Sequence, residues 1–291
     1  MANINYSIII PHYNVPNLLL RCVRSIPVRE DIQVIVVDDC SSYQTAVFDA
    51  LKSLHHPYLE FYSTPVGGSA GRARNVGIKH AKGTWLSFVD ADDLLTNDAL
   101  AILDKHKDRT EDVLYYQSVS VMCDDITKPS GRHCFLYHFD YYFKTGDERP
   151  LRLEFDAPWG KFIKKSLIDR HQIRFDEVRY SNDTFFSAAI GVFAEKIAVM
   201  EETLYLVTER EGSLTADKMK TIQEWKMRFH SALHVQNFFD ENHISFKRYA
   251  FNDFMVVMWN RDKSRYFKEF FKLSIRNQAR ILYCAIRSLR P

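Results

Sequence analysis

Residues 33–39 read Gln33-Val34-Ile35-Val36-Val37-Asp38-Asp39. Four β-branched residues follow one another without alternation. That is the pattern of a parallel strand covered by helices on both faces, not of a strand with one wet side. The run ends abruptly in two acids. Upstream, residues 6–10 form a second short β-branched run closed by Pro11, and residues 18–26 between the two runs have helical spacing. Downstream, 46–54 reads as helix, 59–62 as strand, 73–81 as helix after a loop containing Gly67, Gly68 and Gly71, 85–89 as strand and 97–107 as helix. The strand at 85–89 also ends in acids, Asp90-Ala91-Asp92-Asp93. Strand and helix in strict turn predict an α/β domain with an open, mostly parallel sheet. Such sheets bind ligands outside the carboxyl ends of their strands, and two of those ends here carry paired carboxylates.

The rest of the chain is less regular. Residues 113–122 and 204–208 read as strands, 124–150 as loops and short strands, and 161–171 and 183–193 as helices. From about residue 216 the pattern is helical. The expected organisation is a domain over 1–215 and a C-terminal helical region over 216–291.

At 291 residues, with 46% hydrophobic and 26% charged residues, the chain has the composition of a folded globular protein and not of a disordered one. Its net charge of +2 gives no ground for nucleic-acid binding. The charge is uneven, since residues 263–291 hold eight Lys or Arg against one Glu. Five scattered cysteines without a CxxC pair support neither a zinc site nor a disulfide framework. They suggest a reducing, cytoplasmic setting. Residues 1–11 lack the basic and apolar regions of a signal peptide, and no apolar run approaches the length of a membrane span.

In Asp90-Ala91-Asp92, positions i and i+2 of an extended segment point the same way. Two carboxylates held side by side repel unless a cation lies between them, and hard oxygen ligands suit Mg²⁺ or Mn²⁺. The alternative is that Asp92 or Asp93 caps the next helix. Asp38-Asp39 could accept hydrogen bonds from a base imide N–H or from ribose hydroxyls, or could form a turn capped by Ser41 or Ser42. The loop 66–75 sets backbone N–H groups and the guanidinium groups of Arg72 and Arg74 near a helix start, both suited to phosphate oxygens, although it is neither GxGxxG nor a Walker A loop. Together these strand ends describe a nucleoside diphosphate site.

The chain resembles the family 2 glycosyltransferases of the GT-A fold, a Rossmann-like, mostly parallel sheet with helices on both faces. The matching segments are SIIIPHYN (7–14), VIVVDDCSS (34–42), AGRARNVGIKHAKGTWLSFVDADD (70–93), APWGKFIKKSLI (157–168), SNDTFF (181–186) and REGSLT (210–215). The resemblance implies a UDP-sugar donor, with Pro11 and Tyr13 lining the base pocket, Asp39 on the uracil imide supported by Asp38, and Arg74 at the base or diphosphate. It places Asp90, Ala91 and Asp92 at the ribose and at a Mn²⁺ or Mg²⁺ ion, Asp92 as the ligand and Asp90 through ribose or metal-bound water. Asp183 becomes the catalytic base, Trp159 and Lys161 lie near sugar or acceptor, and Arg210 and Ser213 belong to a loop over the donor. Three departures stand out: Cys40 where the family has Gly, His12 where a small or β-branched residue is common, and Asn182 in place of Glu before Asp183.

The implied reaction inverts the anomeric carbon, with a glycan or lipid-linked hydroxyl as acceptor and surface polysaccharide assembly as the setting. The alternatives are a nucleotidyltransferase and a catalytically silent sugar-nucleotide-binding protein. Residues 263–291 read as one two-faced helix. Phe267, Phe270, Phe271, Ile275, Leu282, Ala285, Ile286 and Leu289 lie on one arc, and Lys268, Lys272, Arg276, Arg280, Arg287 and Arg290 on the other. Such a helix would lie on the inner face of the membrane or dock its apolar arc on the preceding domain.

Overall fold

The structure is a computed structural model that describes residues 4–42, 44–132, 135–210, 221–246 and 250–288. The chain divides into two compact units, Met1–Asp217 and Lys218–Pro291.

The first unit runs β1 (Tyr6–His12), α1 (Pro16–Ser25), β2 (Ile32–Asp38), α2 (Gln44–Lys52), β3 (Leu59–Ser63), α3 (Ala70–His80), β4 (Trp85–Phe88), β5 (Leu94–Leu95) and α4 (Ala99–His106). It continues with β6 (Val113–Met122), α5 (Leu136–Thr145), α6 (Arg149–Glu154), β7 (Lys161–Lys164), α7 (Lys165–Arg170), α8 (Thr184–Phe193) and β8 (Ile197–Glu209). The strands form one sheet in the order β3-β2-β1-β4-β7-β6-β8-β5. The pairs β1–β2, β1–β4, β2–β3 and β6–β8 are parallel, whereas β7 runs against β4 and β6 and β5 runs against β8. This is the α/β, mostly parallel architecture that the alternation predicted. Every residue of β1, β2 and β4 is buried, as continuous apolar strands between two helical layers require.

The order explains why the site forms where it does. Strands β2, β1 and β4 are adjacent and parallel, so their carboxyl ends emerge together. The register pairs His12 with Asp38 and Ile9 with Phe88. At the usual strand spacing, the acids after β2 and those after β4 are separated by roughly 10 Å.

Three sequence expectations change. Residues 161–164 are not the start of a helix but the strand β7, which fills the gap between β4 and β6; the helix begins only at Lys165. The aromatic stretch read as loop is the helix α5, stopped by Gly146 in the left-handed region at φ 71°. The strand expected over 204–208 is β8, which is thirteen residues long.

The second unit comprises α9 (Ile222–Glu241), α10 (Ala250–Arg261), α11 (Lys263–Phe270) and α12 (Ile275–Ser288). Thr221 and Glu224 form a capping box at the start of α9. The core of this unit is Phe229, Met255, Met258, Phe270 and Ile281. The single basic helix expected over 263–291 is two helices, α11 and α12. The break follows Phe271, and Ser274 Oγ accepts from Asn277 N at the start of α12. Phe270 turns into the core while Phe267 and Phe271 stay exposed, and the Arg280 guanidinium is occupied by Asp240. The side chains of Ala285, Ile286, Arg287, Leu289 and Arg290 lie outside the described residues. Among the described residues, no helix is long and apolar enough to cross a membrane.

Candidate active site

The end of β2 is built from the inside out. Asp38 is fully buried, and its Oδ1 accepts from Ser41 Oγ at 2.6 Å and from His12 Nδ1 at 2.7 Å, while Oδ2 accepts from Ser41 N at 2.9 Å. His12 Nε2 accepts from Val15 N at 3.1 Å, so the imidazole proton sits on Nδ1 and points at Asp38. Burial pushes the His12 pKa down, against the pull of Asp38, and the ring is a neutral bridge between two chain segments. Asp38 is therefore a support, fully buried and turned toward His12 and Ser41. Ser41, expected as a helix cap, serves Asp38 instead.

Asp39 is the outward member of the pair. Its Oδ1 accepts from Thr64 Oγ1 at 2.8 Å and its Oδ2 from Gly68 N at 2.9 Å, which fixes the carboxylate plane. Each oxygen keeps further lone-pair capacity, and a carboxylate can only accept. The turn after it places Cys40 at φ 59°, a left-handed conformation in which the family's Gly would be unstrained. A Cβ on Gly67 would lie 3.0 Å from Cys40 Cβ and 3.1 Å from the Asp39 carbonyl oxygen, so the chain packs closely over this turn. Pro11 is buried within β1, whereas Tyr13 is 59% exposed and offers an open ring face beside the Asp39 turn. Asn14, Cys40 and Ser181 all have positive φ, and each lies within two residues of Tyr13, Asp39 or Asp183. Such outliers gather where function constrains the chain.

Arg74 on α3 connects two parts of the site. It is 4% exposed, with NH2 donating to Asp90 Oδ1 at 2.7 Å and NH1 to Asn182 Oδ1 at 2.8 Å. Its guanidinium also lies 5.2 Å from the Phe175 ring centre. The amide at position 182 thus keeps a hydrogen bond while removing the charge a Glu would carry. Beyond β4, Asp93 is fully buried and accepts from Thr208 N at 2.7 Å and Tyr205 OH at 2.9 Å. Tyr205 OH in turn accepts from Asp90 N. Burial, with Asp92 and Asp90 nearby, pushes the Asp93 pKa up. Asp93 anchors the turn and does not cap a helix; Asp98 occupies the N-cap of α4.

Asp90 and Asp92 flank buried Ala91 and remain partly open to solvent. Asp92 Oδ2 accepts from Arg210 Nε at 3.1 Å, and the Asp92 carbonyl accepts from Thr208 Oγ1 and Arg21 NH2. The second oxygen of each carboxylate, Asp90 Oδ2 and Asp92 Oδ1, takes no hydrogen bond from a described residue. No cluster of three or more His, Cys, Asp or Glu able to hold a metal exists among the described residues. A divalent ion here would have two carboxylates at most, which fits Mg²⁺ or Mn²⁺ completed by water and donor phosphates and does not fit an all-protein cage.

Asp183 occupies the N-cap position of α8 and lies partly buried. Burial raises its pKa to about 6, Arg74 opposes the rise, and Asp156 and Asp90 add to it. It remains mainly ionised at neutral pH and is poised to take a proton. Asp156, absent from the sequence reading, belongs to a turn whose carbonyls face inward. Lys161 Nζ donates to the Phe155 and Ala157 carbonyls at 2.6 and 2.7 Å, and Ser187 Oγ donates to the Asp156 carbonyl at 2.6 Å.

Two expected lining residues sit behind the site. Lys161 is 1% exposed, and its ammonium group is spent on backbone carbonyls and lies 4.3 Å from the Phe155 ring centre; burial lowers its pKa to about 7. Trp159 is buried and stacks on Tyr205 at 5.1 Å. The Lys161 ammonium is thus engaged by the protein itself, and the Trp159 ring is held against Tyr205. Ser213 lies outside the described residues.

Comparison with known proteins follows the same pattern. Glycosyltransferase GlyA of Streptococcus pneumoniae is 26% identical over 226 residues, which is 72% of this chain and 31% of GlyA. The poly(ribitol-phosphate) β-N-acetylglucosaminyltransferase TarS of Staphylococcus aureus is 26% identical over 221 residues, 71% of this chain and 36% of TarS. The chain thus spans about one third of each. A crystal structure of TarS residues 1–349 with UDP-GlcNAc superposes with a TM-score of 0.63 at 22% identity, covering 96% of this chain and 79% of that one. The mannosyltransferase PcManGT from Pyrobaculum calidifontis, in complex with GDP-Man and Mn²⁺, superposes at 0.55 with 16% identity, covering 100% and 82%. These structures share the fold. Residues 7–171, more than half of the chain, match the family described as Glycosyl transferase family 2, and the chain belongs to that family.

Proposed function

We propose that the protein is an inverting, metal-dependent glycosyltransferase that moves a sugar from a UDP-sugar to a hydroxyl group of a glycan or lipid-linked acceptor in surface polysaccharide or teichoic acid assembly. The observation that carries this reading is Arg74. One buried guanidinium bonds Asp90, at the metal-side strand end, and Asn182, next to Asp183, so donor groups and base form one connected site. TarS, by its description, uses an anionic polymer as acceptor and forms a β-linkage, and its complex contains UDP-GlcNAc.

The base end follows from Asp39. A carboxylate held by Thr64 and Gly68 can only accept, and it matches the imide N–H of uracil; cytosine presents an acceptor at the same ring position. Tyr13 supplies the stacking face. At the diphosphate, Arg74 and Arg210, which donate to the carboxylates of Asp90 and Asp92, are suited to phosphate oxygens. Asp90 and Asp92 would hold the divalent ion, which when bound offsets the charge gathering on the departing diphosphate. Asp183 takes the proton of the acceptor hydroxyl as its oxygen attacks the anomeric carbon from the side opposite the diphosphate. The nucleotide leaves without needing a proton, so one carboxylate suffices where a glycosidase needs two.

The test is calorimetric titration of UDP, CDP and GDP with and without Mn²⁺, followed by analysis of the anomeric configuration of the product. UDP binding that requires Mn²⁺ and Asp92, with an inverted product, is the expected outcome. Retained configuration would remove Asp183 from the role of single base, and tight Mn²⁺-independent UDP binding would remove the metal.

A further inference from the structure

We propose that the face of the second unit formed by Trp259, Phe267 and Phe271 is a docking surface for an anionic lipid bilayer. The inference does not depend on the transfer reaction. It begins with rings that the unit's own core leaves outside. Phe229, Met255, Met258, Phe270 and Ile281 form a closed cluster, yet Phe271 is 70% exposed, Ile275 85%, and Trp259 and Phe267 nearly half. The three rings are contiguous. Trp259 meets Phe267 edge-on at 5.9 Å, and Phe267 stacks with Phe271 at 6.2 Å. Val256, one turn before Trp259 on α10, extends the apolar surface and is also exposed. A cluster of large exposed apolar side chains of this kind marks an interaction site.

Charge identifies the partner. Arg261, Lys263, Arg265 and Lys268 are exposed, and none has a carboxylate partner among the described residues. The Lys263 ammonium lies 5.1 Å from the Trp259 ring centre, which places a cation at the edge of the apolar ridge. Of the nearby acids, Glu269 is engaged by Lys226 and Lys272, Asp240 by Arg276 and Arg280, and Asp262 caps α11 by accepting from Arg265 N, which leaves the segment 261–268 with four cations against one carboxylate. A cation beside an exposed aromatic ridge, with further exposed cations on the same two helices, complements a surface with anionic headgroups above an apolar interior. Aromatic rings settle at that interface, and Lys and Arg stems let their charges reach the headgroups. A second copy of this chain fits less well, because a two-fold contact would bring the same four cations against themselves.

The test is flotation of the full chain with vesicles of phosphatidylcholine alone and with about one third phosphatidylglycerol. The protein is expected to bind the phosphatidylglycerol vesicles about tenfold more tightly, and rising salt should weaken that binding. Phe267→Ser with Phe271→Ser should lose about tenfold in vesicle affinity while keeping its Tm and UDP affinity, since neither ring belongs to the core. Lys263→Glu with Lys268→Glu should abolish the preference for phosphatidylglycerol. The proposal fails if the wild-type protein ignores both vesicles or if the double serine variant floats as well as wild type. It also fails if wild type is a dimer in light scattering that the serine variant dissolves, in which case a second copy owns the face.

Discussion

Replacing Asp183 by Asn should make the protein more stable and catalytically silent at once. Burial lifts this carboxyl from its ordinary value of 3.8 to about 6. In the unfolded chain the proton leaves first as pH rises, so ionisation progressively favours unfolding between those two values and the loss is complete above them. The full lift corresponds to about 3 kcal/mol. Because the group is only partly buried and Asn still places a polar amide there, the net gain for Asp183→Asn is about 1–3 kcal/mol, or roughly 2–10 °C in Tm for a unit of this size. The assay is thermal unfolding of both proteins across pH, without metal or donor. The Tm difference should be near zero below about pH 4 and reach its plateau above about pH 7. In parallel, transfer should fall by about 10²–10⁴ with UDP affinity nearly unchanged. A variant less stable than wild type at neutral pH, or a Tm difference independent of pH, would refute the reasoning.

Asp92→Ala should abolish the Mn²⁺ dependence of UDP binding and lower turnover by at least about a thousandfold, read by calorimetry and product formation. Asp39→Ala should weaken UDP by about tenfold or more and narrow the preference for UDP over CDP, since the acceptor of the imide N–H is gone. Transfer by the wild type should rise with pH through about 6 as Asp183 loses its proton, a limb that a pH–rate profile of kcat would display. Lys161→Ala should cost about 2–4 kcal/mol in denaturant unfolding, because it leaves the Phe155 and Ala157 carbonyls unsatisfied and a cavity beside Phe155.

Much of the candidate site is written in local sequence, because each strand carries its acids at its own end. The run at 33–37 and the acids after it are neighbours in the chain, and so are 85–89 and Asp90-Ala91-Asp92. What holds those acids is not local. Tyr205 and Thr208 reach Asp90, Asp92 and Asp93 from 112 to 116 residues away, and nothing in their spacing signals it. Lys161 looks like a cation for a ligand until its two carbonyl acceptors are seen, and the segment it begins becomes a strand only because β4 and β6 leave a slot between them. Asp156 carries no motif at all; its relevance appears only through its effect on Asp183. In the tail, the basic periodicity runs straight through Ser274, and the break there follows from the packing of Phe270 into the core of the second unit.

The shared arginine also bears on substrate binding. A guanidinium that holds Asp90 with one nitrogen and Asn182 with the other cannot turn toward a diphosphate without loosening one of them. Under the proposed function, filling the nucleotide half would therefore alter the surroundings of Asp183, and one side chain would couple the two halves of the site.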